Sequence, residues 1–185
     1  MQPANAPSAK ATTHSNTVTS TSGPVSGDTV QFSPSGTGIG TLSASFAATN
    51  GSGVASVTYT ASTTLYATAT VTATEANGGA SGNATVEQVP NVAVVATPTS
   101  VAPSGKSAIT VTVTHQGVGV PGLLIGIGVS GVCGTVNPNF GNTLQNGTFT
   151  TTYTGPSSGA APGSTCNLIA GVQGVNTPFT ITNTG

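Results

Sequence analysis

The sequence predicts an all-β protein built from two related domains, and three observations carry that prediction. The first is composition: of 185 residues, 35 are Thr, 20 Ser, 26 Gly, 12 Pro and 13 Asn. Thr and Val suit a pleated, half-buried strand, whereas Gly, Pro and Asn serve turns. No long run of Leu, Glu, Lys or Ala has helical spacing. The second is alternation, the period of a strand with one buried face. The third is repetition: Gly53-Val-Ala-Ser-Val-Thr-Tyr59-Thr60 returns at an offset of 94 as Gly147-Thr-Phe-Thr-Thr-Thr-Tyr153-Thr154. Each copy adjoins an Asn-Gly turn signal, Asn50-Gly51 and Asn146-Gly147, and a repeated strand with its turn implies a repeated domain.

Residues 1–22 read as a polar N-terminal arm, with Pro3, Pro7 and a single strong apolar residue, Val18, after Met1. Disorder is expected there, and the arm is a candidate donor strand for a neighbouring subunit. Its Ala6-Pro-Ser-Ala-Lys10 echoes Ala102-Pro-Ser-Gly-Lys106. Where the later copy continues into Ile109, Val111 and Val113, the early one is read as Thr13, Ser15, Thr17 and Thr19, a strand pattern without its apolar face.

Domain one is placed at 23–89. Val30 and Phe32 share a side, and Ser35–Gly38 makes a corner before Ile39 and Leu42. Leu42-Ser-Ala-Ser-Phe46 alternates, then Ala55, Val57 and Tyr59, then Ala67, Ala69, Val71 and Ala73. Ala84, Val86 and Val89 close the domain before Pro90. Domain two, 90–185, adds an opening strand, Val92–Ala96. It continues through Ile109–His115, the apolar Leu123–Val129, Phe149/Thr151/Tyr153, Cys166/Leu168/Ala170/Val172 and Phe179/Ile181. Seven apolar residues at 123–129 suit a buried strand. No run approaches the ~20 needed to span a membrane, and no signal peptide is visible, so secretion implies a mature or trimmed protein.

Charge is nearly absent: Lys10, Lys106, Asp28, Glu75 and Glu87 are the charged side chains, with no Arg and no Trp. Recognition of nucleic acid needs several cations on the phosphates, and acid–base catalysis needs titratable groups in one place, so neither nucleic-acid binding nor enzymatic activity is expected. A formal net charge of -1 hardly opposes self-association. Two Lys and no Arg leave trypsin-like proteases little to cut.

Cys133 and Cys166 fall on the inward parity of two strands, where domain one has Ile39 and Ala69. A disulfide between them would close about 33 residues and stabilise by roughly 3–4 kcal/mol; two buried free thiols are the alternative. His14 and His115 lie far apart in the pattern, and three scattered carboxylates supply no convergent set, so no metal or other cofactor is expected. Gly36–Gly40 and Gly126–Gly131 open no helix and read as corners or tightly packed strands rather than phosphate cradles. Asn50-Gly-Ser, Asn83-Ala-Thr and Asn146-Gly-Thr are N-glycosylation sequons, with Asn50, Asn83 and Asn146 as candidate acceptors.

Thr97-Pro-Thr-Ser-Val-Ala-Pro-Ser-Gly-Lys106, Ile109-Thr-Val-Thr-Val113, Gly119-Val-Pro-Gly122 and Asn146–Tyr153, with Asn50–Tyr59 in the first half, resemble the bacterial immunoglobulin-like domains of invasins and intimins. The resemblance covers most of 91–185 and about 28–89. It implies two tandem immunoglobulin-like antiparallel β-sandwiches and a stalk or adhesive role at the cell surface, with no catalytic residues. The sequence departs from the pattern in its lack of charge and in the missing opening strand of domain one. An incomplete sandwich leaves an unpaired edge; strand addition between copies, with the arm or Pro178-Phe-Thr-Ile-Thr182 as donor, would complete it, and a strand lying upstream of Met1 is the alternative. The resulting expectation is an extracellular structural protein, the repeating subunit of a head-to-tail, pilus-like surface filament. The alternative is a stalk or adhesive module binding a protein or surface glycan.

Overall fold

The computed structural model describes residues 11–17, 19–20, 22–131, 133–158 and 161–184; residues 1–10, 18 and 21 of the expected arm lie outside these. The protein divides into two units, Met1–Val89 and Pro90–Gly185. In the first unit the strands are β1 (Ala11–Thr17), β2 (Thr19–Ser20), β3 (Gly23–Pro24), β4 (Thr29–Gly36), β5 (Thr41–Leu42), β6 (Phe46–Ala48), β7 (Val54–Thr60), β8 (Thr68–Glu75) and β9 (Ser81–Glu87). The second unit has β10 (Asn91–Thr97), β11 (Ser100–Val101), β12 (Lys106–His115), β13 (Val118–Gly119), β14 (Leu124–Ser130), β15 (Thr135–Asn137), β16 (Phe140–Asn142), β17 (Thr148–Thr154), β18 (Thr165–Val172) and β19 (Val175–Asn183). The described residues contain no helix, and so none long and apolar enough to cross a membrane.

The second unit is a two-sheet sandwich. One sheet runs β10-β12-β17-β15, with β13 joined to β12, and the other runs β11-β19-β18-β14-β16. With β10, β12 and β17 in one sheet and β14, β18 and β19 in the other, the long strands are divided as in the immunoglobulin fold. Alternation does what the sequence implies: Ile109, Val111 and Val113 of β12 meet Ile125, Leu168 and Ile181 in the core, each fully buried. The two hydroxyls on inward positions are satisfied locally. Ser107 donates to the Pro98 carbonyl at 2.6 Å and Thr151 to the Pro138 carbonyl at 2.5 Å, which removes the cost of burying them.

The first unit repeats the plan with β1-β7-β5 facing β6-β4-β8-β9. Here the expected boundary at residue 23 is corrected. Ala11–Thr17 is not a free arm; it lies antiparallel to β7, with Ala11 opposite Thr60 and Thr17 opposite Val54. Lys106 stands opposite Thr154 in the second unit, so β1 is the counterpart of β12. Its backbone N–H and C=O groups find partners on β7, which outweighs the absence of an apolar face. Among the described residues β1 has no neighbour on its other side, where β12 has β10.

A second correction concerns Leu42–Phe46. Its alternation suggests one strand, but β5 pairs with β7 and β6 pairs with β4, so the backbone passes from one sheet to the other there. Phe46 accordingly stands 53 % exposed, as does its counterpart Phe140 at 65 %. Ile39, placed inward by parity, is exposed as well.

The cores fill equivalent space differently. At equivalent positions the first unit has Ala47 and Ala55, the second Gly141 and Phe149. A Cβ on Gly141 would come within 2.4 Å of the Phe149 ring, so the missing methyl makes room for the aromatic ring. Gly141→Ala is expected to destabilise the second unit by about 1–3 kcal/mol through overpacking, and by less in a Phe149→Ala background, where the two changes couple. Gly126→Ala, at an open position with nothing within 4 Å, is expected to stay within ~0.5 kcal/mol of the parent. Urea unfolding monitored by circular dichroism checks all three.

Candidate functional site

Each sandwich is locked by the same bond. Tyr59 and Tyr153 are fully buried, and a buried phenol requires a partner for its oxygen. The Gly40 N–H donates to the Tyr59 hydroxyl oxygen at 2.7 Å, and the Gly134 N–H to that of Tyr153 at 3.2 Å. No other residue fits either glycine, because a Cβ would lie 1.9 Å from the Thr60 carbonyl oxygen and 1.8 Å from that of Thr154. Thr49 and Thr143 form a further matched pair, buried just before the hairpin. Thr49 Oγ1 accepts from Asp28 N at 2.9 Å, and Thr143 Oγ1 accepts from Leu123 N at 3.0 Å and donates to the Val120 carbonyl at 2.6 Å. The offset of 94 that relates the hairpins also relates these pairs, and it is the sequence signal that points to them.

The hairpins keep the offset of 94, and it is the Asn-Gly pair that takes a different place in each. The glycine that needs a left-handed backbone is Gly53 (φ 73°) in one and Gly147 (φ 78°) in the other, each a turn glycine after a tight bend. Gly53 N–H donates to the Asn50 carbonyl and Gly147 N–H to the Leu144 carbonyl, both at 2.8 Å. Asn50 therefore matches Leu144 rather than Asn146. Asn50, Asn83 and Asn146 are all exposed, the first and third on turns and Asn83 on β9 opposite Thr72. Asn50 Oδ1 accepts from the N–H of Ser52 at 2.9 Å and of Val54 at 3.1 Å; Asn146 Oδ1 accepts from Thr148 N at 3.1 Å and from its hydroxyl at 2.7 Å.

A Cys133–Cys166 disulfide joins β18 to the segment entering β15 in the opposite sheet, with Cα atoms 5.5 Å apart. Cys166 is fully buried; Cys133 is half-buried and packs against the core, whereas its counterpart Ile39 is exposed. Beside the bridge lies a cleft of about 440 Å³ lined by Ser104, Gly134, Thr135, Thr154 and Pro156, none of which titrates. A smaller cleft of about 160 Å³ in the first unit is lined by Tyr66, Glu87 and Gln88, and burial pushes the Tyr66 phenol up.

The carboxylates serve the backbone. Glu75 is buried and accepts from the N–H of Asn77 and of Gly78, while Asp28 Oδ1 accepts from Thr29 N at 3.0 Å and from Asn77 Nδ2 at 2.9 Å. Two of the three acids thus close one turn. Glu87 is exposed. His115 ends β12 as expected, buried and, among the described residues, with no hydrogen-bond partner on either ring nitrogen. His14 stands opposite Val57 in the register. Among the described residues no group of three or more His, Cys, Asp or Glu could hold a metal ion. Gly126 and Gly128 are not tightly packed: they lie on the outer face of β14, where a Cβ would meet nothing within 4 Å at Gly126 and only the Ile169 carbonyl oxygen, at 4.0 Å, at Gly128.

No protein-family model and no curated protein matches the sequence. Among solved structures it is similar to the D0-D1 domain of intimin, with 22% identity over 98% of this chain and 93% of that one, at a TM-score of 0.47. It is similar also to the D00-D0 domain of intimin, with 15% identity over 100% and 96% of the two proteins and a TM-score of 0.49. A third is the Yersinia pseudotuberculosis adhesin InvE, with 20% identity over 97% of this chain and 55% of that one, at a TM-score of 0.43.

Replacing Tyr59 or Tyr153 by Phe leaves a half-buried glycine N–H without its acceptor. Each change is expected to lower the stability of its own unit by about 1–3 kcal/mol, read as a shift of that unit's urea midpoint with the other unit unmoved.

Proposed function

We propose that this protein is part of an extracellular surface protein, in which the two sandwiches are non-catalytic spacer modules of an adhesin-type stalk. The observation that carries this reading is one sandwich built twice with the same tyrosine lock, with no metal-binding cluster among its described residues. Each module ties its own strand crossing down from within and turns a nearly uncharged, Thr-rich surface outward. A disulfide belongs to an oxidising compartment, and the scarcity of Lys and Arg suits a protein exposed to proteases. Asn50, Asn83 and Asn146 are accessible acceptors if the protein passes through an N-glycosylating pathway.

Pulling on the protein between its two ends tests the mechanical part of this reading. Two separate unfolding events are expected. Reductant should lengthen the second unit's extension by roughly 110–120 Å, because the bridge hides 33 residues at ~3.3–3.6 Å each. The same reduction should lower that unit's stability by about 3–4 kcal/mol in urea. A single merged event, or an extension unchanged by reductant, would sink the two-module spacer.

A second reading is the self-assembling filament, in which a neighbour adds a strand. In its favour is the side of β1 away from β7, which has no strand among the described residues, whereas β10 covers the matching side of β12. Against it stands the seating of residues 11–17 in their own sheet. Light scattering over a concentration series decides: polymers that a peptide of the Asn91–Thr97 sequence disperses support strand addition, and a monomer throughout rejects it.

A further inference from the structure

Three Asn-Gly pairs occur in the sequence, Asn50-Gly51, Asn77-Gly78 and Asn146-Gly147. All three asparagines are exposed, so sequence and accessibility alone rank them equally. What separates them is the backbone nitrogen of the glycine. In the second pair Gly78 N–H donates to Glu75 Oε2, and the Asn77 side-chain amide is itself held by Asp28. In the third pair Gly147 N–H donates to the Leu144 carbonyl at 2.8 Å, and Gly147 is buried against Val113 and Val120. Gly51 N–H has no hydrogen-bond partner among the described residues, and nothing lies within 4 Å of where a Cβ would stand.

The carbonyl that this nitrogen would attack is prepared for it. Asn50 Oδ1 accepts from two backbone N–H groups, those of Ser52 at 2.9 Å and Val54 at 3.1 Å. Paired donors on a carbonyl oxygen polarise its carbon and stabilise the negative charge that develops there during addition. Asn146 has a comparable pair of donors from Thr148, but its nucleophile is occupied.

We propose that Asn50 is a site of spontaneous deamidation, converting to aspartate and isoaspartate while Asn77 and Asn146 are protected by the fold. Base removes the proton from Gly51 N, and the nitrogen attacks Asn50 Cγ. The new bond between Gly51 N and Asn50 Cγ closes a succinimide as the bond between Cγ and Nδ2 breaks, and the amide leaves as ammonia after taking a proton from water. Water then adds at either imide carbonyl to give aspartate or isoaspartate; overall one water is consumed, one ammonia is released, and no electrons are exchanged. The product adds a negative charge to a protein that has five charged residues and removes the first sequon. The isoaspartate form also inserts a methylene into a turn held by Asn50 N–H to the Val54 carbonyl at 3.0 Å.

The test is incubation of folded, unglycosylated protein at mildly alkaline pH, with chymotryptic peptide mapping by mass spectrometry and enzymatic methylation of isoaspartate. Asn50 is expected to convert at least about tenfold faster than either other site, a modest difference in barrier height. In concentrated urea the three rates should come together, since every glycine nitrogen is then free. Gly51→Ala, with open space for its methyl, should slow Asn50 alone and leave the urea midpoint unchanged. Equal rates in the folded protein overturn the proposal, as does a ranking that survives in urea, because the cause would then lie in the sequence and not in the fold.

Discussion

A phenol taken out of water must be answered from within the protein, and in both sandwiches the answer comes from the one stretch of backbone free to give it. Between β4 and β5, and again between β14 and β15, the polypeptide passes from one sheet to the other, and the glycine there belongs to no ladder. Gly40 and Gly134 sit on that crossing and turn an N–H onto Tyr59 and Tyr153. The contact is so close that a carbonyl oxygen occupies the place of any side chain. The bond therefore ties the crossing to the strand that carries the hairpin. Around it the short strands β5 and β15 take their places, and in the second unit the disulfide branches off one residue before the locked glycine.

Charge plays a different part here from the one it has on most protein surfaces. Asp28 and Glu75 are spent on backbone and amide donors around Asn77 rather than on solvation. Lys106 is the only charged side chain of residues 90–185. Folding in the second unit thus owes little to ion pairs and nearly everything to apolar burial, hydrogen-bonded ladders and one bridge. Such a surface is insensitive to salt, because there is little for ions to screen.

Strands with a buried face and a threonine face are legible residue by residue. Ala55, Val57 and Tyr59, Ile109, Val111 and Val113, and Cys166 through Val172 sit where alternation puts them. Alternation does not say which sheet a residue belongs to, and that is why Leu42 and Phe46 read as one strand although they lie in two. Nor does it reveal a strand whose partners are supplied by the backbone alone. For residues 11–17 the sequence keeps a strand pattern without an apolar face, which does not show what the strand pairs with, and the lysine echo suggests an offset of 96. The register instead matches Ala11 to Lys106, an offset of 95. The turns mislead for a related reason: Asn-Gly is a strong local cue, but the left-handed position is set by hydrogen-bond closure. That closure falls on Gly53 and Gly147, so Asn50 and Asn146 occupy different places in otherwise equal hairpins.

Two copies of one fold on one polypeptide face a hazard that a single domain does not: a strand of one can nucleate in the slot of the other while both are still unfolded. The exchange of volume between Ala47/Ala55 and Gly141/Phe149 bears on it directly. With β7 seated in the second sandwich, Ala55 would leave empty the space that the Phe149 ring fills, at a cost of the order of a large-to-small core change, about 3–5 kcal/mol. With β17 seated in the first, the ring would meet the Ala47 methyl where its own unit has none. The repeat is thus close enough to share a lock and different enough, by one methyl and one ring, for each hairpin strand to recognise its own partner.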